Sequence, residues 1–244
     1  MSSWTINQDC GLKLSETSAY IARGLDEPFQ CRLSLLGDHI LGAEFNVTGL
    51  TDPREIERAH FLDSLSLLDL DCVSLAETLV DIGSGAGLPA LVLALALPRT
   101  RVVAIESQRK KCAYIGRTAQ LLSLPNIEVY CARAEEYGRS AGRGIHDVVV
   151  SRAVAALPVV AEYSLPLLKV GGTMVAMKGE VSDQERTQAE RALGILGSGP
   201  LEALQMHPFP DAQNRWVYLA RKIGATPSDY PRRPGIPAKR PLGV

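Results

Sequence analysis

The sequence predicts an α/β fold: a doubly wound, mostly parallel sheet with an N-terminal helical cap. Three observations carry that reading. From Glu77 onward, short β-rich runs alternate with longer helical ones, the pattern of βαβ units with helices on both faces of a sheet. Runs such as VVAIE and DVVVS are apolar except at their ends, as strands covered on both sides should be. Between the first strand and the first helix of this series, LVDIGSGAGLPA sets glycines at every second position.

Residues 1–71 read as the cap. They are helical in pattern and punctuated by Pro28, Gly37 and Gly42. In TDPREIERAHFLDSLSLLDL, Asp52 suits an N-cap and Pro53 the first helical position. Ile56, Ala59, His60, Asp63 and Leu67 then fall on neighbouring helical faces at three- and four-residue spacing. Residues 72–224 carry the alternating series: TLVDIG then LPALVLALAL; RVVAIE then QRKKCAYIGRTAQLL; NIEVYCA; HDVVVSRA then LPVVAEYSLPLLK; GGTMVAMKG then SDQERTQAERALGIL. LEALQMH and RWVYLARKI read as a closing hairpin. Residues 225–244 are basic and proline-rich, and are expected to belong to no core.

A net charge of −1 gives no global field for a polyanion, so a nucleic-acid partner would be served by local patches. The five cysteines (Cys10, Cys31, Cys72, Cys112 and Cys131) form no CxxC pair, which points to neither a zinc site nor a disulfide framework. The N-terminus lacks the apolar core of a signal peptide, and LPALVLALALP is too short to span a bilayer. A cytoplasmic monomer without metal or membrane attachment is expected.

The glycine loop opens a helix from the carboxyl end of a strand, where ligands of open α/β sheets sit. No GK[ST] follows, so it is not a P-loop. Its G-x-G-x-G spacing departs from the dinucleotide G-x-G-x-x-G. Gly83 and Gly85 suit a tight turn with close ligand approach, and Gly87 suits close helix packing. Asp81 would repel a pyrophosphate but suits a cationic amino group. Glu106, about twenty residues on, is placed to accept from ribose hydroxyls. Ala134 and Glu135, after the third strand, could flank an adenine and bond its amino group. A helix-packing turn without a ligand is the plainer alternative. Together these strand ends suit S-adenosylmethionine, and the constellation resembles the Rossmann-like class I methyltransferases.

The end of the fourth strand reads DVVVSRAVAALP. It carries neither the [DNS]PP[YF] of exocyclic-amine methylases nor the Pro-Cys of carbon-5 pyrimidine methylases. A target with its own lone pair, such as a purine ring nitrogen, needs in-line geometry more than acid–base residues. The motifs FNVTGLTDPREIERAHFLDSL, VDIGSGAGLP, IESQRKKCAYI, ARAEEY, DVVVSRAVA, GGTMVAMKG and YPRRPGIPAKRPL cover about Phe45 to Leu242. On these, the chain resembles the bacterial small-subunit rRNA guanine-N7 methyltransferases, the glucose-inhibited division protein B family. The resemblance implies methyl transfer from S-adenosylmethionine to guanine N7 in the decoding-region loop of 16S rRNA, free or within the small ribosomal subunit. It implies that Gly83, Leu88, Ala134, Glu135 and Arg152 line the cofactor site. Asn46, His60, Asp63 and Lys178 would sit at the same mouth, nearer the RNA, with Arg152, Lys178 and His60 closest to the chemistry. Arg232, Arg233, Lys239 and Arg240 would meet RNA phosphates along a stiff proline-spaced segment. Leu41 and Ala59 depart from the aromatic and the arginine common in the family. Plainer roles stay open: His60 and Asp63 bonding each other, Arg152 pairing with Asp81 or Glu106, Lys178 as an exposed strand end, and a merely solubilising tail. So do a different RNA target, an RNA-binding protein without turnover, and an NAD-dependent oxidoreductase.

Overall fold

A computed structural model describes residues 12–244; Cys10 and the rest of the first eleven positions lie outside the described residues. The strands are β1 (Thr78–Ile82), β2 (Arg101–Glu106), β3 (Ile127–Cys131), β4 (His146–Arg152), β5 (Leu168–Lys178), β6 (Ser198–Gln205) and β7 (Trp216–Lys222). They form one sheet in the order β3-β2-β1-β4-β5-β7-β6. The first five run parallel, and β7 pairs antiparallel with both β5 and β6. The strand order reverses between β1 and β4, which opens a crevice at their carboxyl ends.

The helices are α1 (Thr17–Ala22), α2 (Glu27–Leu41), α3 (Pro53–Ile56), α4 (Asp63–Leu65), α5 (Asp71–Ser74), α6 (Ala90–Ala96), α7 (Arg109–Leu121), α8 (Ala134–Gly138), α9 (Leu157–Ser164), α10 (Asp183–Leu196) and α11 (Ile236–Lys239). Alternation along the strands feeds two cores. Leu79, Val102, Ala104, Val148, Val150 and Val175 face α6, α7 and the cap. Val80, Val103, Val149, Met174 and Ala176 face α9 and α10. The cap therefore shares its core with one face of the sheet. No helix among the described residues is long and apolar enough to cross a membrane.

Asp52 caps α3 as its sequence suggests, its side chain accepting from Arg54 N at 2.8 Å. The helix does not continue in one period. A π-helical turn over Glu57–Leu62 separates α3 from α4 and shifts the faces on which His60 and Asp63 lie. Glu57, wholly buried on this turn, ties down the cap: it accepts from Ser15 N, Glu16 N and Tyr20 Oη within 3.0 Å. The run LPVVAEYSLPLLK divides, α9 ending at Ser164 and β5 starting at Leu168 around Pro166.

The tail requires a correction. Residues 225–244 are strapped to the molecule. Pro231 and Pro237 are buried, and Tyr230 and Leu242 pack on the second core. Arg139 Nε donates to Pro231 O and Arg143 Nη1 to Tyr230 O, each at 2.6 Å. Arg232 grips Glu162, an acid with no exposed surface on α9, through Nε at 2.9 Å and Nη2 at 2.5 Å. A buried carboxylate needs such a partner, and the arm supplies it from 70 residues away.

Candidate active site

The crevice at the carboxyl ends of β1 and β4 opens into a cavity of about 530 Å³. The glycine loop forms its floor. Gly83, Gly85 and Gly87 have φ of +68°, +57° and +84°, left-handed backbone that only glycine takes freely. Their surroundings differ. A Cβ on Gly83 would sit 3.0 Å from Val154 Cγ2, and one on Gly87 2.8 Å from Leu91 Cγ, inside the following helix. A Cβ on Gly85 would meet nothing nearer than Gly83 O at 3.8 Å, so Gly85 is the point where the loop backbone faces open space. Gly83 lines the cavity, and a side chain added there would meet Val154.

Two acids brace this loop. Asp81 lies wholly buried beneath it and accepts from Ala90 N at 3.2 Å through Oδ2. Its Oδ1 has no hydrogen-bond partner, and burial pushes the carboxyl up to about 7. Asp81 therefore holds the loop from below and does not line the cavity. Glu106 accepts from Gly85 N at 3.1 Å and from Gln108 N at 2.8 Å, which brings the end of β2 onto the loop.

The opposite wall comes from the cap and from the ends of β4, β5 and β7. Arg152, at the end of β4, donates through Nη1 to Ala59 O at 3.0 Å and approaches Asp63 Oδ2 at 3.5 Å. Its Nη2 lies 3.4 Å from His60 Nδ1. The same Nδ1 lies 3.2 Å from Ala59 O, and His60 Nε2 shares a 2.7 Å hydrogen bond with Thr48 Oγ1. Burial, with Arg152 adding to it, holds the imidazole down at about 4, and it is neutral at pH 7. Asp63 is buried between two guanidiniums, Arg152 and Arg215, the latter at 3.3 Å through Nε. Burial raises its carboxyl and the arginines oppose the rise. Lys178 Nζ donates to Ala155 O at 2.8 Å and pairs with Glu185 at 3.2 Å. Ala153, which also lines the cavity, has φ of +53°, a strained conformation for a residue with a Cβ.

Of the residues singled out from sequence, the cavity brings together His60, Asp63, Gly83, Gly85, Leu88, Arg152 and Lys178. Asn46 is exposed beside the rim residues Val47 and Thr48. Gly87, Glu106, Ala134 and Glu135 lie outside the lining. Three roles are corrected. The Glu135 carboxylate accepts from Gly235 N at 2.9 Å, so it anchors the arm rather than reaching for an adenine amino group. Asp63 is paired with two arginines, one at each oxygen, and shapes the wall. Arg232 is committed to Glu162 and is not available to phosphates. His60 and Asp63 do not bond each other, and Arg152 pairs with neither Asp81 nor Glu106. Sequence reasoning missed Asn214, Arg215 and Trp216, which reach the cavity from the β6–β7 hairpin. Their only sequence signal is a polar dipeptide ahead of an apolar run.

The sequence model of the family described as rRNA small subunit methyltransferase G matches residues 39–209. A protein named ribosomal RNA small subunit methyltransferase G from Rubrobacter xylanophilus is 41% identical over 219 residues, 86% of this chain and 84% of that one. The chain belongs to this family. Its namesake from Streptococcus pyogenes is 34% identical over 237 residues, covering 96% of this chain and 99% of the other. Among solved structures, the O-methyltransferase TomG from Streptomyces achromogenes aligns with a TM-score of 0.56 at 19% identity, over 86% of this chain and 97% of its own. That likeness is one of fold, the class I methyltransferase sheet.

Proposed function

We propose that this protein transfers a methyl group from S-adenosylmethionine to N7 of a guanine in the decoding-region loop of 16S rRNA. One observation carries the reading: seven residues from separate stretches of a family-matched chain line a single cavity at the β1/β4 switch point. The cavity fits the cofactor. Gly85 leaves the loop backbone open to a ligand. Gly85 and Leu88 would hold the cofactor against the loop, and Glu106 would accept from its ribose. When bound, the cofactor supplies an electrophilic methyl group on a positively charged sulfur.

The chain's own residues then have a positioning task. Guanine N7 carries a free lone pair and needs no deprotonation, so bringing it into line is the main requirement. The neutral His60, with both ring nitrogens engaged, is built to orient and not to take a proton. Arg152 locks the π-helical turn to the end of β4 and fixes the width of the mouth. Arg233, Lys239 and Arg240 are exposed on the docked arm, where they can meet RNA phosphates.

Glu106→Ala is expected to weaken both S-adenosylmethionine and S-adenosylhomocysteine by about 1.5–3 kcal/mol in calorimetry, because the ribose is common to both. A loss confined to one ligand contradicts ribose binding. Converting Arg233, Lys239 and Arg240 to alanine should flatten the salt dependence of RNA binding by up to about 0.7–0.9 log units of slope per lost contact, with cofactor affinity unchanged. Arg152→Ala should instead lower turnover on saturating RNA and leave the salt slope intact. A wild-type slope in the arm variant, or a normal maximal rate in the Arg152 variant, contradicts these assignments.

A further inference from the structure

Three cations line the cavity, and they are not equivalent. Arg152 is 18% exposed and fastened to Ala59 O, His60 and Asp63. Lys178 is 20% exposed and held between Ala155 O and Glu185. Arg215 is 39% exposed and stands at the start of β7 on the opposite side of Asp63. Its Nε is tied to Asp63 Oδ1 at 3.3 Å and its Nη1 to Gln213 O at 3.4 Å. Its Nη2 has no hydrogen-bond partner among the described residues. Beside it, Asn214 Oδ1 accepts from Glu180 N at 2.5 Å, which leaves the amide nitrogen as that side chain's spare group. The wall formed by residues 214 and 215 thus offers spare donors.

We propose that Arg215 is the specificity-determining residue that reads O6 of the target guanine, held in aim by Asp63. The inference rests on the guanine-N7 reading above. Next to N7, guanine presents the O6 acceptor and adenine an amino donor, so a fixed guanidinium N–H at that place accepts one purine and repels the other. The tethering matters as much as the charge. An unrestrained arginine grips O6 and N7 of guanine together. That fork would occupy the lone pair that must receive the methyl group. With Nε turned to Asp63 in an ion pair and Nη1 bonded to Gln213 O, Nη2 is the nitrogen without a partner among the described residues, and approach to O6 through Nη2 leaves N7 open. Asp63 is therefore a positioning residue acting through Arg215.

The test uses the full-length protein and small subunits reconstituted with guanine, inosine or 2,6-diaminopurine at the target position. Inosine keeps O6 and loses the 2-amino group; diaminopurine keeps the 2-amino group and carries an amine in place of O6. The wild type is expected to methylate guanine and inosine at rates within a few fold of each other, and diaminopurine roughly 10- to 100-fold more slowly, the scale of one base-edge contact. Arg215→Gln and Arg215→Ala should collapse that ratio to a few fold and lower kcat/KM on guanine, while S-adenosylhomocysteine affinity in calorimetry stays at the wild-type value. Retention of the wild-type guanine-to-diaminopurine ratio in both variants overturns the assignment. So does equal rejection of inosine and diaminopurine by the wild type, which would mark the 2-amino edge as the feature read. Transfer by the wild type to none of the three refutes the guanine-N7 function itself, and this inference with it.

Discussion

Gly83→Val is expected to abolish S-adenosylmethionine binding, with a loss of affinity above about 100-fold. Two costs combine. A residue at φ of +68° leaves the backbone region that β-branched side chains tolerate, a penalty on the order of 1–3 kcal/mol. Its Cβ would also stand 3.0 Å from Val154 Cγ2, so the first turn after β1 must move away from the segment after β4. That movement displaces Gly85, the open point of the cradle. Gly85→Ala is the informative companion. It has room for a methyl group, so its effect on binding should come from intrusion into the cavity and backbone strain, with less distortion of the fold. Wild-type affinity for Gly83→Val in calorimetry, with the fold intact by circular dichroism, would remove the loop from the cofactor site.

Arg232→Ala should destabilise the protein by about 3–5 kcal/mol, the cost of leaving a buried carboxylate without its partner. Glu162 has no exposed surface, and Arg232 supplies both its backbone N–H and its guanidinium to it. Adding Glu162→Leu to Arg232→Ala should recover part of that loss, since two missing charges cost less than one orphan. Urea unfolding of both variants measures the difference. Unchanged stability in Arg232→Ala, with weaker RNA binding, would return Arg232 to the phosphate-contacting role read from its sequence.

The sheet was legible because its signal is local. Five runs of apolar residues bounded by turns became the five parallel strands, and the β6–β7 hairpin followed from LEALQMH and RWVYLARKI. The glycine loop was legible for the same reason: strand, turn and helix are contiguous. What escaped depended on distant partners. Glu162 sits in the apolar run LPVVAEYS, and nothing there says that an arginine 70 residues on will dock against it. Read alone, the arm looked like solvated charge and proline. The π-helical turn was hidden because three- and four-residue spacing looks the same on either side of an inserted residue. Arg215 was missed because its role comes from Asp63, which reaches it across the cavity from the cap.

The most direct measurement is to map the methylated base. Small subunits from cells lacking this activity are incubated with the protein and labelled S-adenosylmethionine. The 16S rRNA is then reduced with borohydride and cleaved with aniline, which breaks the chain at N7-methylguanosine. The expected result is one new cleavage, in the decoding-region loop, coincident with the label and absent with Gly83→Val. Label incorporated without cleavage there, or at a base outside that loop, would contradict the proposed function.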